Sequence, residues 1–444
     1  MTPTGKSFWF VQQNYSAMFL MCAGIYVIFL LILRRKIISP FEPLHVQVFL
    51  LSLSGSWLYY YFYKQNASLY WLSIIYAQTI IIILMYRSRI EVDFELAAKR
   101  DSFVNSLNFK IFFAVCIFLI VSQGVWLAYV SGFHFPNGKN LNQRLLILKE
   151  MRILTYLSMP VASFLPVFIY IYWRRPQIIW CIIAIISYVI GEIFLGSKAS
   201  IVSAVLFVAG AVFVRELDRA YEGQPMKIFW MSRAYIYVLG IGVACVAVIL
   251  FVISYLFDSK IHANGQITAQ SLLITRLLMN YDHFHFIIAS DFLDKEPKLD
   301  FSFVAAWSQF LLKPFGLISM DYNNVGEYVA KFLIGVRLSD HNNRYLSFPN
   351  SNLALELFFS YGPLVGVVLF PIIFGITIYI LRKFEPNRYG NFHSFIIAYF
   401  LLFNPLYVVV DGTSFAGSCI SLTVIYSITV LISGTIRACG ERLF

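Results

Sequence analysis

Ser347-Phe-Pro-Asn-Ser-Asn-Leu-Ala-Leu-Glu-Leu-Phe-Phe-Ser-Tyr-Gly-Pro-Leu-Val-Gly366 is the stretch on which the fold turns. It joins the longest polar excursion of the chain, roughly 258–351, to an apolar run that continues to Leu381. Upstream lie four of the seven histidines and a scatter of Arg, Lys and Asp. A polar chain entering an apolar segment beside clustered ionisable groups is the arrangement expected of a reaction site at a bilayer surface.

Composition agrees with that reading. Hydrophobic residues make up 59% of the 444 residues and charged ones 13%, where a soluble domain carries about 25% charged residues. Mean hydropathy is +0.72. The expected fold is an all-α polytopic membrane protein with no room for a second soluble domain. The six cysteines (Cys22, Cys116, Cys181, Cys245, Cys419, Cys439) have no CxxC spacing, so neither a disulfide framework nor a zinc site follows. The first apolar run is too long for a signal-peptide core and is expected to stay on the protein.

Segments long enough to span, about 20 residues each, read as 16–33, 44–62, 70–86, 111–131, 154–172, 176–196, 200–214, 234–257, 352–381, 393–410 and 414–436. About eleven transmembrane helices are therefore expected. They divide into helices 1–8 within 1–257, a large external loop with amphipathic helices at 258–351, and helices 9–11 within 352–444. Phe301–Ser319 is apolar enough to touch lipid and reads as interfacial or re-entrant. Basic clusters follow alternate segments: Arg34–Lys36, Arg87–Lys110, Arg174-Arg175, Arg215–Arg233, Arg382–Arg388 and Arg437–Arg442. By the positive-inside rule these face the cytoplasm, with the amino terminus outside. The net charge of +11 is thus a topology signal and not a nucleic-acid footprint. Trp57, Trp71 and Trp126 near segment ends fit an interfacial aromatic belt.

Ionisable groups against this grain lie on the external side. Lys198 occupies a very tight turn, Leu195–Ser200, where it is either a fixed surface cation or an ordinary snorkelling lysine. Glu192 is about two turns deeper in the same span and is a possible partner for a basic group. Thr275–His285 has helical apolar spacing and carries Arg276, Asp282, His283 and His285. His283 and His285 point apart on a helix, so a metal site is disfavoured. In Val336–Arg344, Arg337 and Arg344 flank Asp340-His341. Guanidinium forks suit phosphate oxygens, and His341, or His283 or Asp340, could take a proton at neutral pH. Asn352 and Glu356 lie at the entry to the following span, and Asp411-Gly412 forms a tight external turn. Neither a channel filter nor matched broken helices at mid-membrane, as a transporter would need, is legible.

These residues resemble a known family. The chain is similar in topology to the Wzy-type O-antigen and oligosaccharide repeat-unit polymerases, and more distantly to the O-antigen ligases. Phe194-Leu-Gly-Ser-Lys-Ala-Ser200 resembles the family's Gly-Ser-Arg-Gly type turn, with Lys198 where an arginine is usual. Asn352–Gly366 resembles the ligase-type entry into the span after the large loop. Ligases carry a histidine just before that asparagine; here the position is Ser351, which favours polymerase over ligase and leaves His341 as a substitute base.

The resemblance implies a membrane glycosyltransferase C-like fold acting without a metal or other cofactor. Donor and acceptor would both be undecaprenyl-diphosphate-linked oligosaccharides, and a chain-length regulator would be a further partner beside membrane lipids. The expected place is the bacterial inner membrane, multi-pass, with the active site facing the periplasm. Lys198, Arg276, Arg337 and Arg344 would hold the diphosphate, with Asp282, Asn352, Glu356 and Glu192 lining the substrate cavity. Ligase activity and flipping or transport of lipid-linked oligosaccharide are the alternatives.

Overall fold

A computed structural model of the chain describes residues 3–33, 93–132, 160–194, 200–223, 360–404 and 412–441, with isolated positions elsewhere. Every regular element among the described residues is helical. In chain order these are α1 (Pro3–Leu33), α2 (Leu96–Asn105), α3 (Leu107–Val130), a 3₁₀ turn (Ala162–Phe164), α4 (Leu165–Tyr172) and α5 (Ile178–Phe194). They continue with α6 (Ser200–Tyr221), α7 (Pro363–Phe384), α8 (Phe392–Phe403) and α9 (Gly412–Glu441). Among the described residues, two stretches, Leu107–Val130 and Gly417–Cys439, are long and apolar enough to cross a membrane. The segments read at 44–62, 70–86 and 234–257, and the whole 258–351 excursion, lie largely or wholly outside the described residues.

Local chemistry explains where the helices begin and stop. Ser106 Oγ accepts from the Phe109 N–H at 3.4 Å and opens α3, and Asn391 Oδ1 accepts from the Ser394 N–H at 2.7 Å and opens α8. α8 closes at Asn404, ahead of Pro405, which disfavours a helical residue before it. The apolar run read as one segment over 352–381 is interrupted at Gly362, whose φ of +85° suits only a residue without Cβ. Pro363 then starts α7 with its φ already set and no N–H left unsatisfied. α6 runs on to Tyr221, past the end of the apolar segment read at 200–214, because Leu217, Ala220 and Tyr221 are buried along one face of the polar extension.

The chain divides into two compact units. Unit 1 comprises Met1–Ser88, Ala247–Ile378 and Pro405–Ser414. Within it, Tyr26 meets Phe49 edge-on at 5.9 Å. A Cβ at Gly55 would lie 2.8 Å from the Cys22 nitrogen, so that glycine permits a close backbone approach to α1.

Unit 2 comprises Arg89–Val246, Tyr379–Asn404 and Phe415–Phe444. An aromatic core holds it together. Phe112 meets Phe164 at 5.0 Å, Phe113 meets Tyr172 at 4.6 Å, and Phe395 lies 4.9 Å from Phe103 and 5.4 Å from Phe109. These pairings seat α4 and the turn before it on the first part of α3. A turn at 173–177 leads into α5, which runs parallel to α3, with Gly124 against Ser187 and Leu127 against Gly191. Gly210 lies against Pro166 and Phe403, which sets α6 beside α4 and α8.

Candidate functional site

The end of unit 2 where α4 finishes and α5 starts carries a buried charge cluster. Its centre is Arg388, in the connection between α7 and α8 and fully buried despite its charge. Arg388 Nε donates to Asp218 Oδ1 at 3.2 Å and Nη2 donates to the same oxygen. Nη1 donates to the Glu385 carbonyl at 2.8 Å. The guanidinium also stacks on two rings, 4.5 Å from the Tyr221 centroid and 5.2 Å from that of Tyr389.

Asp218 is the common acceptor. Besides Arg388 it receives Arg100 Nη1 at 3.1 Å and the Tyr389 hydroxyl at 3.1 Å. The Tyr389 and Tyr399 hydroxyls are 2.7 Å apart, and Arg100 also donates to the Tyr170 hydroxyl. Burial alone would pull the Arg388 pKa down, but the Asp218 charge and hydrogen bonds outweigh it, so the proton is held more firmly than in an ordinary arginine. Burial, then the Asp218 charge, push the Tyr389 hydroxyl well above its usual value. An acceptor-only carboxylate with this many donors has no lone pair left for proton transfer. The cluster is therefore a clasp.

It gathers several connections onto one end. Asp93 N–H donates to the Tyr221 carbonyl at 2.6 Å, Arg175 reaches Asp101 at 3.5 Å, and Arg437 reaches the Asn108 carboxamide oxygen at 3.4 Å. Lys99 pairs with Asp93 at 2.8 Å, which lowers the Asp93 pKa. The stretches joined in this way come from the basic clusters that follow alternate apolar segments.

The far ends of α3 and α5 are built differently. A Cβ on Gly124 would lie 2.6 Å from the Ser187 carbonyl carbon, and one on Gly191 would lie 2.9 Å from the Gly124 Cα. Only glycine lets the two backbones approach so closely. Gln123 precedes Gly124 and is buried; Glu192 follows Gly191 and is half-buried. The helices run parallel and face each other, so one step back on α3 and one step forward on α5 lead to the same flank of the crossing. Tyr188, one turn before Glu192, meets Phe207 of α6 edge-on at 5.4 Å, so α6 packs on that flank too.

Of the residues singled out in the sequence, the structure describes Glu192, on this flank. Lys198, Arg276, Asp282, His283, His285, Arg337, Asp340, His341, Arg344, Asn352, Glu356 and Asp411 lie outside the described residues. Trp126 is described and exposed, 5.8 Å from Tyr129, which is also exposed. Sequence reasoning missed Asp218, Tyr389 and Tyr399, and read Arg100 and Arg388 only as members of the basic clusters that signal topology. Comparison with known proteins returns no matching family model, no similar curated protein and no similar solved structure.

Proposed function

We infer that this chain is an integral membrane glycosyltransferase of the inner membrane that polymerises undecaprenyl-diphosphate-linked oligosaccharide units at the periplasmic face. The growing chain leaves its lipid diphosphate and joins the non-reducing end of a new lipid-linked unit. Lys198, Arg276, Arg337 and Arg344 neutralise the departing diphosphate, since fixed cations stabilise developing negative charge without a metal. His341, with Asp340 or His283, receives the hydroxyl proton. Asp282, Asn352, Glu356 and Glu192 line the cavity.

The observation that carries this reading is the polarity of unit 2. At one end, basic connections are locked around Asp218 and Arg388 with their charges satisfied. The other end, where α5 finishes and α6 begins, holds a carboxylate that no described residue pairs with. A flippase must open at both faces, and a clasp of buried ion pairs across one end favours one-sided chemistry. The outer surface supports a lipid setting. Leu20, Phe118 and Leu431 are each about 70% exposed, and apolar side chains of this size on an outer face suit hydrocarbon better than water. Outward hydroxyls on α9 donate to their own helix: Thr423 to Cys419, Ser427 to Thr423 and Thr435 to Leu431, each at 2.9 Å. No such donor is then left for a solvent unable to accept it.

The test is to incubate the purified chain with a synthetic undecaprenyl-diphosphate repeat unit and separate the products by size. A ladder of longer lipid-linked products is the expected result. Transfer of one unit onto a non-diphosphate acceptor would indicate a ligase. Transbilayer movement without covalent product would indicate a flippase.

A further inference from the structure

We propose that Glu192 and Gln123, on the flank of the α3–α5 crossing, form a binding site for carbohydrate hydroxyls of the lipid-linked oligosaccharide. The substrate class rests on the polymerase reading; the site itself rests on geometry.

A carboxylate near the end of an apolar helix is costly unless it faces the protein interior or a wet cavity. Glu192 meets that condition by position. The Gly124–Gly191 approach fixes the rotation of α5, and that rotation turns Glu192 toward the flank shared with Gln123 and α6. It is half-buried, so the flank is reachable from the adjacent surface and is not sealed. Among the described residues it has neither an ion pair nor a hydrogen bond. Asp218, by contrast, accepts from Arg100, Arg388 and Tyr389.

The donor and acceptor inventory selects the ligand. A carboxylate offers only acceptors, and the Gln123 carboxamide offers both functions about one helical turn deeper. Adjacent sugar hydroxyls present donors and acceptors at matching separation. A diphosphate would be repelled by Glu192, and the site therefore reads the sugar and not its carrier. Tyr188, on the same face of α5, adds an aromatic ring to the flank.

The experiment compares binding of two lipids to the full-length chain in detergent. One is undecaprenyl diphosphate bearing the oligosaccharide unit, isolated from cells deleted for this chain. The other is undecaprenyl diphosphate alone. The wild-type chain should bind the sugar-bearing lipid the more tightly. Glu192→Ala should lose about tenfold in affinity for that lipid, the size of a hydrogen bond to a charged group, and keep its affinity for the bare lipid. Glu192→Gln, isosteric and uncharged, should fall between the two and melt like wild type. Unchanged binding of the sugar-bearing lipid by both variants would overturn the proposal, as would an equal loss for both lipids. If the wild-type chain binds neither lipid, the polymerase reading fails instead.

Discussion

Asp218 and Glu192 are both carboxylates on helices of unit 2, and they differ in everything that matters. Asp218 lies in the last turn of α6 among Arg100, Arg388 and Tyr389, with 1% of its side chain exposed. Glu192 nears the end of α5 beside a glycine crossing, half-buried, with no donor among the described residues. A saturated buried charge holds its neighbours in place and does no other chemistry. An unsaturated one on a reachable flank retains the capacity to bind. Net charge and hydropathy do not distinguish the two; the number of donors around each does.

The largest effect should come from dismantling the saturated end. Asp218→Ala leaves the Arg388 guanidinium buried without its counter-charge, and removing one partner of a buried pair costs about 3–5 kcal/mol. The melting temperature in detergent and the yield of monodisperse protein should both drop sharply. A variant that melts like wild type would mean that the clasp contributes little.

The glycine crossing comes next. Gly124→Ala places a methyl group against the Ser187 carbonyl, backbone that cannot swing away as a side chain would. Forcing extra volume into a packed contact costs about 1–3 kcal/mol, and separating α3 from α5 also displaces Glu192. Lower stability together with weaker binding of the sugar-bearing lipid is the expected pair of results. Lower stability with unchanged binding would separate the crossing from the site.

The smallest effect sharpens the clasp from within. Tyr389→Phe deletes one donor to Asp218 and should cost about 1–2 kcal/mol. It also carries a pH signature. The unfolded chain releases the Tyr389 proton near about pH 10, whereas burial and Asp218 raise the value in the folded chain. The stabilisation is full below about pH 10 and is lost as the pH climbs through the folded value. Melting curves from pH 8 upward should therefore fall for wild type and fall less for Tyr389→Phe.

The two ends also differ in how much of them the sequence reveals. Hydropathy placed the segments at 111–131 and 176–196 within a few residues of α3 and α5, because a long apolar run has few other ways to satisfy its backbone. Glu192 stood out for the same reason, as a carboxylate inside such a run. Gln123 did not, since one neutral amide hardly alters a hydropathy window, and the meaning of Gly124 depends on a partner helix more than sixty residues away. Arg388 lies in Glu385-Pro-Asn-Arg-Tyr-Gly390, a polar connection that reads as solvated. Its complete burial follows from the extension of α6, which carries Asp218 past the end of the apolar segment to meet it.

The assignment of opposite faces to the two ends is the central claim, and side-specific labelling tests it most directly. Cys439 is exposed near the end of α9, two residues from the Arg437 that joins the basic end. In a chain whose other cysteines are replaced, Cys439 alone or Lys198→Cys alone would be exposed to a membrane-impermeant maleimide. The expected result is labelling of Lys198→Cys from the periplasmic side of whole cells and of Cys439 only in inverted membrane vesicles. Labelling of both positions from the same side, or in the reverse order, would contradict it.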